Sequence, residues 1–172
     1  MYSDNSFWLN KLNGEKMEKQ TTLSESPAKI KTAEITVRNY KHYSTSVGNN
    51  LQSIQITTKY RYSMMKKDKL KTFCKVAIED ACKKHKIEVS IIRVLKEHVH
   101  LIVDCPKTMS IAKLLQIIKG LSAYILFRIC PNLRKRYPRG HFWSEGYFCE
   151  SCGSDFDKAY SYVLQQEQHH GE

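Results

Sequence analysis

The sequence predicts an α+β fold: an antiparallel four-stranded sheet with two helices on one face and one more helix near the end of the chain. Three observations predict it. Four short stretches rich in β-branched and aromatic residues read as strands. Two long stretches between them repeat their apolar residues at three and four, the spacing of a helical face. Pro, Ser and Gly punctuate the joints, so that the order reads β-α-β-β-α-β-α.

Residues 1–50 are polar and weakly patterned, with 21–26 and 43–50 rich in Ser, Thr, Asn and Gly. They read as an extension with little core of its own, dispensable for chemistry. The alternative is an added edge strand over 35–43, where Ile35 and Val37 alternate with polar residues. From Leu51 the pattern sharpens. Over 51–62, Ile54, Ile56, Thr58 and Tyr60 share one face, and Gln55, Thr57, Lys59 and Arg61 the other, as in a half-buried strand. Over 66–86, Leu70, Phe73, Cys74, Ala77, Ile78, Ala81 and Cys82 form one helical face, with both thiols as small core residues. Residues 87–95 and 98–105 read as strands joined by a tight turn at Lys96-Glu97, and Pro106 ends the second.

Ser110 is a favourable N-cap for an amphipathic helix over 111–129. Its stripe is Leu114, Leu115, Ile118, Leu121, Ile125 and Ile129, and Pro131 stops it. Residues 132–140 are a basic loop containing Arg134, Lys135, Arg136 and Arg139. Residues 141–149 read as the fourth strand, in which Gly146 marks a bulge or a close backbone approach. Ser154-Asp155 then caps a last helix running to about Gln168. The first six elements make the split βαβ unit of a ferredoxin-like sandwich, and with the last helix the domain occupies 51–172. The second sheet face is left for a ligand or for the last helix.

Lys and Arg number 28 against 17 Asp and Glu, a net charge of +11. The charge is uneven: residues 1–50 carry a net +2, residues 51–141 a net +14, and residues 142–172 a net −5. A basic middle of this kind is an electrostatic footprint for nucleic acid, although excess surface Lys alone also serves solubility. No apolar run reaches the ~18–20 residues that cross a bilayer, so no membrane partner is expected. Residues 1–13 lack the basic and apolar regions of a signal peptide, which predicts a cytoplasmic address. The six Cys are then expected as thiols.

Two constellations carry chemistry. In His98-Val99-His100, alternation puts both imidazoles on one strand face while Val99, Leu101 and Val103 turn to the core. Two imidazoles on a rigid strand make half a metal site, although the pattern alone more often marks ordinary strand histidines. In the last helix, Tyr162 and Gln166 are four apart and so neighbours on one face. A phenol is a weak nucleophile near neutrality, and a divalent cation that polarises a phosphate makes it competent. Taken by itself, Tyr160 or Tyr162 is as readily a packing residue. Cys149-x-x-Cys152 with His169-His170 has too long a spacing for a zinc knuckle, and Gly153-Ser154 reads as a loop.

From Leu51 to Gln166 the chain resembles the single-tyrosine HUH transposases of the insertion sequence 200 type. The matching stretches are Lys59-Tyr60-Arg61, residues 97–103 around the two His, residues 115–122, residues 142–148 (FWSEGYF) and residues 162–166 (YVLQQ). The resemblance implies a DNA transposase that cleaves and rejoins single strands at insertion-sequence ends folded as hairpins. It implies Tyr162 as nucleophile, leaving a 5′-phosphotyrosine, and His98, His100 and Gln166 as ligands of Mg²⁺ or Mn²⁺. It implies a homodimer in which the tyrosine helix of one subunit completes the other's site. DNA contacts are expected from Lys59, Arg61, Lys119, Arg134, Lys135, Arg136 and Arg139. The chain departs from the family pattern in its first fifty residues and in Lys96-Glu97, where the family often has Pro-Asp. Rival readings are a related enzyme acting on palindromic repeats or as a plasmid-type nickase, and a non-catalytic single-strand binder that stacks bases on Tyr60 and Tyr62.

Overall fold

Alternation decides the two faces of the sheet. Strand β1 (Leu51–Thr58) buries Gln52, Ile54, Ile56 and Thr58 and leaves the residues between them half-buried. Strand β2 (Glu88–Val94) and strand β3 (His98–Asp104) form a hairpin, and strand β4 (Trp143–Ser151) closes the far edge. The order is β2-β3-β1-β4, antiparallel throughout. A computed structural model supplies these elements and describes residues 40–42, 44–152 and 156–169, with side chains at 158–165 in the last stretch. The readings of residues 1–39, the proposed edge strand up to residue 39, the Gly153-Ser154-Asp155 loop and cap, and the side chains of Gln166, His169 and His170 lie outside the described residues.

Ile54 stands opposite Leu101 and Ile56 opposite Val99, while Ile92 and Val94 flank the same two residues from β2. This face packs under two helices. Helix α1 (Asp68–Lys84) buries Phe73, Cys74, Ala77, Ile78, Ala81 and Cys82. Helix α2 (Ile111–Ile129) buries Leu114, Leu115, Ile118, Ile125 and Leu126. Each such aliphatic side chain stabilises the fold by about 1.5–3 kcal/mol relative to exposure. The thiols of α1 are core residues as expected, and burial pushes Cys82 up to about 12.

Helix α2 has the bounds expected of it, because both ends are locally encoded. The Ser110 hydroxyl accepts from the Lys113 N–H at 3.2 Å, and Pro131 follows the C-cap. Of its expected stripe, Leu121 and Ile129 are only half-buried, and Ser122 and Leu126 lie deeper. The Lys96-Glu97 turn is also as expected: the Leu95 N–H donates to the His98 carbonyl at 2.9 Å.

Three expectations need correction. β1 ends at Thr58, so Tyr60 is not on its inner face, and Lys59 and Arg61 are not on its outer face. Residues Lys59–Arg61 form a 3-10 turn with Tyr60 at φ 60° and Arg61 at φ 52°. The Lys59 N–H donates to the Phe142 carbonyl at 2.8 Å, and this long-range contact ends the strand. β4 starts two residues later than expected and runs to Ser151. Its register against β1 jumps between Tyr147 and Trp143, so the irregularity expected at Gly146 is present. A close backbone approach is not, since nothing lies within 4 Å of where a Cβ would stand there. The basic loop contains a short helix α3 (Leu133–Arg136), because Leu133 and Tyr137 are buried and pull the segment inward.

Residues 40–50 are tied to the sheet. Lys41 pairs with Asp104 at 2.6 Å and with Glu88 at 2.9 Å, and the Asn50 N–H donates to Asp104 Oδ1 at 2.9 Å. Helix α4 (Phe156–His169) lies on the other sheet face. Its Val163 packs with Ile91, Ile102 and Cys152, joined by Leu51, Ala159 and Tyr160. No helix among the described residues is long and apolar enough to cross a membrane.

Candidate active site on the open face of the sheet

The face turned away from α1 and α2 carries His98, His100, Ile102 and Asp104 on β3. Cross-strand register sets their neighbours. Gln55 and Arg93 stand on either side of His100, Thr57 stands beside His98, and Phe148 stands beside Gln55. A single row therefore crosses all four strands: Arg93, His100, Gln55, Phe148. The imidazoles of His98 and His100 lie 5.0 Å apart between centroids, edge to face.

Helix α4 brings the phenols to this row. Tyr160 is half-buried against the Ile91–Ile102 cluster. Tyr162 is 59% exposed, and its ring sits edge-on to His100 at 6.3 Å between centroids. Two residues along a helix turn through roughly 200°, so one phenol packs while the other faces the site. An open cleft of about 510 Å³ is lined here by Ser53, Gln55, His100, Phe148, Lys158 and Tyr162, among others.

The donor set suits a divalent cation in part. Two imidazoles from one strand face, beside a phenol, fit the protein half of a site whose other positions water and phosphate fill. Among the described residues no group of three or more His, Cys, Asp or Glu gathers to hold a metal. An amide oxygen is one further ligand type that such a site accepts.

The expected DNA-binding residues fall into one patch and one ion pair. At the end of β1, Tyr62 packs on Tyr137 at 5.8 Å and Tyr137 on Phe142 at 5.3 Å, joining the Lys59–Arg61 turn to the basic segment. The Arg136 guanidinium lies 3.9 Å over the Tyr62 ring, and Arg134 lies 5.0 Å over Phe127. Lys135 and Arg139 stand exposed on the same segment. Tyr60 presents an exposed ring beside the Lys59 ammonium, and Arg61 pairs loosely with Glu97 at 3.8 Å. Burial pushes the Tyr137 hydroxyl up to about 12. Lys59 and Lys119 instead converge on Glu145: Lys59 pairs with its carboxylate at 3.1 Å, and Lys119 donates to its carbonyl at 2.8 Å. The Lys59 ammonium holds the Glu145 carboxyl below its usual range, and burial holds the Lys119 ammonium below its own.

Sequence reasoning missed Arg93, Gln55 and Phe148 as neighbours of His100. Each lies on the correct alternation phase of its own strand, but only register brings them together. The Arg93 Nε is buried without a hydrogen-bond partner among the described residues.

Comparison with known proteins gives the family and the fold. A family model described as "Transposase IS200 like" matches residues 46–166. The transposases for insertion sequence element IS200 of Salmonella typhimurium strain LT2 and of Salmonella typhi are each 27% identical over 70 residues. That alignment covers 41% of this chain and 46% of each relative, so the chain spans about half the length of the curated relatives it matches. A crystal structure of a protein from Deinococcus radiodurans R1 superposes with a TM-score of 0.60 at 19% identity. The match covers 74% of this chain and 97% of that one. A REP-associated tyrosine transposase bound to a REP hairpin gives 0.55 at 16% identity, over 78% of this chain and 75% of that one. Both structures share the fold.

Proposed function

Because this chain belongs to the IS200-like transposase family, we propose that it is a DNA strand transferase in which Tyr162 attacks a phosphodiester of single-stranded DNA. The observation that carries this reading is the exposed Tyr162 phenol, edge-on to His100 at the cleft. The Tyr162 oxygen forms a bond to phosphorus as the bond from phosphorus to the 3′ oxygen breaks. The products are a 5′-phosphotyrosine and a free 3′-OH: the phenolic proton leaves to water, the departing 3′ oxygen takes one up from it, and no net proton is gained or lost. A second 3′-OH attacks in reverse and frees the tyrosine. Bond energy is retained throughout, so no nucleotide cofactor is needed.

His98 and His100, with the amide oxygen of Gln166, would hold Mg²⁺ or Mn²⁺, which neutralises charge on the scissile phosphate. Tyr160 positions α4 by packing. Arg61, Arg134, Lys135, Arg136 and Arg139 take DNA phosphates around the exposed Tyr60 ring, and Lys59 and Lys119 border them through Glu145. The substrate is a strand with hairpin ends, the working unit is a homodimer whose tyrosine helix acts within or between subunits, and the address is cytoplasmic. The transposase domain occupies 51–172, with residues 1–50 dispensable for chemistry.

The test is incubation of the protein with labelled single strands from the flanks of its own gene. A covalent adduct should survive denaturing electrophoresis, form with Tyr160→Phe and vanish with Tyr162→Phe. Adduct formation by Tyr162→Phe, or undiminished cleavage in EDTA, would overturn the reading. A purely binding protein would retain the strands and form no adduct.

A further inference from the structure

The row through His100 ends on an aromatic ring that the chemistry above does not use. Phe148 is 55% exposed, on an edge strand, facing the same side as His100. An apolar ring left in water is unfavourable, and in a cleft that receives single-stranded DNA it is a stacking platform. Between the two stands Gln55, whose amide offers one acceptor and two donors. Next to that row, Glu150 stands opposite Ser53 and lines the same cleft.

The charges divide the cleft. His100 and Tyr162 meet at one part of the lining, with Lys158 one turn before Tyr162 on the same helical face, and Phe148 and Glu150 share one face of β4. A carboxylate repels phosphate, so the phosphate belongs on the first side and the base on the second. Adjacent strands lie about 4.8 Å apart, so the Phe148 backbone stands roughly 10 Å from that of His100. That is the reach of one nucleotide from phosphate to base.

On the premise that Tyr162 attacks a single strand, we propose that this cleft holds the nucleotide beside the scissile phosphate, with its base stacked on Phe148 and read by Gln55, and that the base is adenine. Gln pairs bidentately with the N6 and N7 of adenine. Glu150 accepts from an exocyclic amine, which thymine lacks. The specificity lies in the protein and acts on one base next to the cleavage point.

The test measures binding of the full chain to labelled oligo-dA, oligo-dC and oligo-dT of equal length, by fluorescence anisotropy at fixed salt. Oligo-dA should bind tightest. Phe148→Ala should weaken oligo-dA binding at least about fivefold, the low end for losing one base stack, and Phe148→Trp should restore it. Gln55→Ala should narrow the gap between oligo-dA and oligo-dT, and the further change Glu150→Gln should narrow it again. Thermal melting of Phe148→Ala should match the unaltered chain, since the ring is exposed. Equal binding of all three strands, or parental affinity in Phe148→Ala, overturns the proposal. Binding needs no covalent step. A base preference that depends on Phe148 in a chain forming no adduct would support this cleft and refute the strand-transfer reading alone.

Discussion

Gln55 and Ile56 are neighbours in β1 and face opposite ways. Ile56 is fully buried under the helices with Val99 opposite it. Gln55 looks into the cleft between His100 and Phe148. The helix side is mostly apolar and closed, and its few buried polar groups, among them Gln52, Thr58 and Ser122, are hydrogen-bonded. The cleft side gathers an imidazole, an amide, an exposed ring and a phenol around one opening, only part of it covered by α4. Burying polar groups without full satisfaction is destabilising. The closed face therefore sets the stability of the domain, and that stability holds the costlier face in place.

The sharpest break in this comparison is chemical. Tyr162→Phe should remove all covalent adduct with strand DNA and leave the melting temperature unchanged, since the residue is largely exposed. Next come His98→Ala and His100→Ala. Each should abolish cleavage while keeping most DNA affinity, because phosphate contacts dominate affinity. Added Mn²⁺ should restore cleavage to EDTA-treated unaltered protein and to neither variant.

The third test sets the two faces side by side. Ile56→Ala should lower the unfolding free energy by about 2–5 kcal/mol in a urea titration, the range for deleting a fully buried aliphatic chain. Gln55→Ala should change it by no more than about 0.5 kcal/mol. Equal losses would mean that the cleft face also carries stability. A fourth test concerns the N-terminal tie. A chain beginning at Val47 loses the Lys41 pair with the buried Asp104. It should be less stable than one beginning at Tyr40 by about 1 kcal/mol, the scale of a partly exposed ion pair. Both should cleave alike. Lost activity at unchanged stability would mean that residues 40–46 touch DNA. The smallest effect is on the slope of binding against salt. Arg136→Gln should reduce the log–log slope by about 0.7, one phosphate on a single strand, with only a small fall in melting temperature from the lost contact over Tyr62.

What the sequence made legible was whatever is encoded locally. Ser110 and Pro131 bound α2, Lys96-Glu97 makes the hairpin, and the spacing of Cys74 and Cys82 marks a core face. The strand ends were misjudged where a partner far along the chain decides them. Alternation runs on through Tyr60, but the carbonyl of Phe142 captures the Lys59 N–H and the chain turns. In the site, the His98–His100 pair and the Tyr162 phase could be read from their own elements. The row from Arg93 to Phe148 could not, because it depends on three registers at once. Two of these shift along their length, at Ser90 in β2 and between Trp143 and Tyr147 in β4.

The seating of α4 carries a thermodynamic consequence. Among its described side chains the buried anchor is Val163 against Ile91, Ile102 and Cys152, whereas α1 buries seven residues and α2 eight. Amide protons in α4 should therefore exchange through a local opening of lower free energy than the global one that governs α1 and α2. The cleft exists only while α4 is docked, since Lys158, Ala159 and Tyr162 form one of its walls. Any strand that binds across that wall favours the docked helix by mass action, and protection of the α4 amides should rise with the logarithm of strand concentration once the site is saturated. Exchange rates in one helix thereby report occupancy of the cleft, with no label on the DNA and no bond broken.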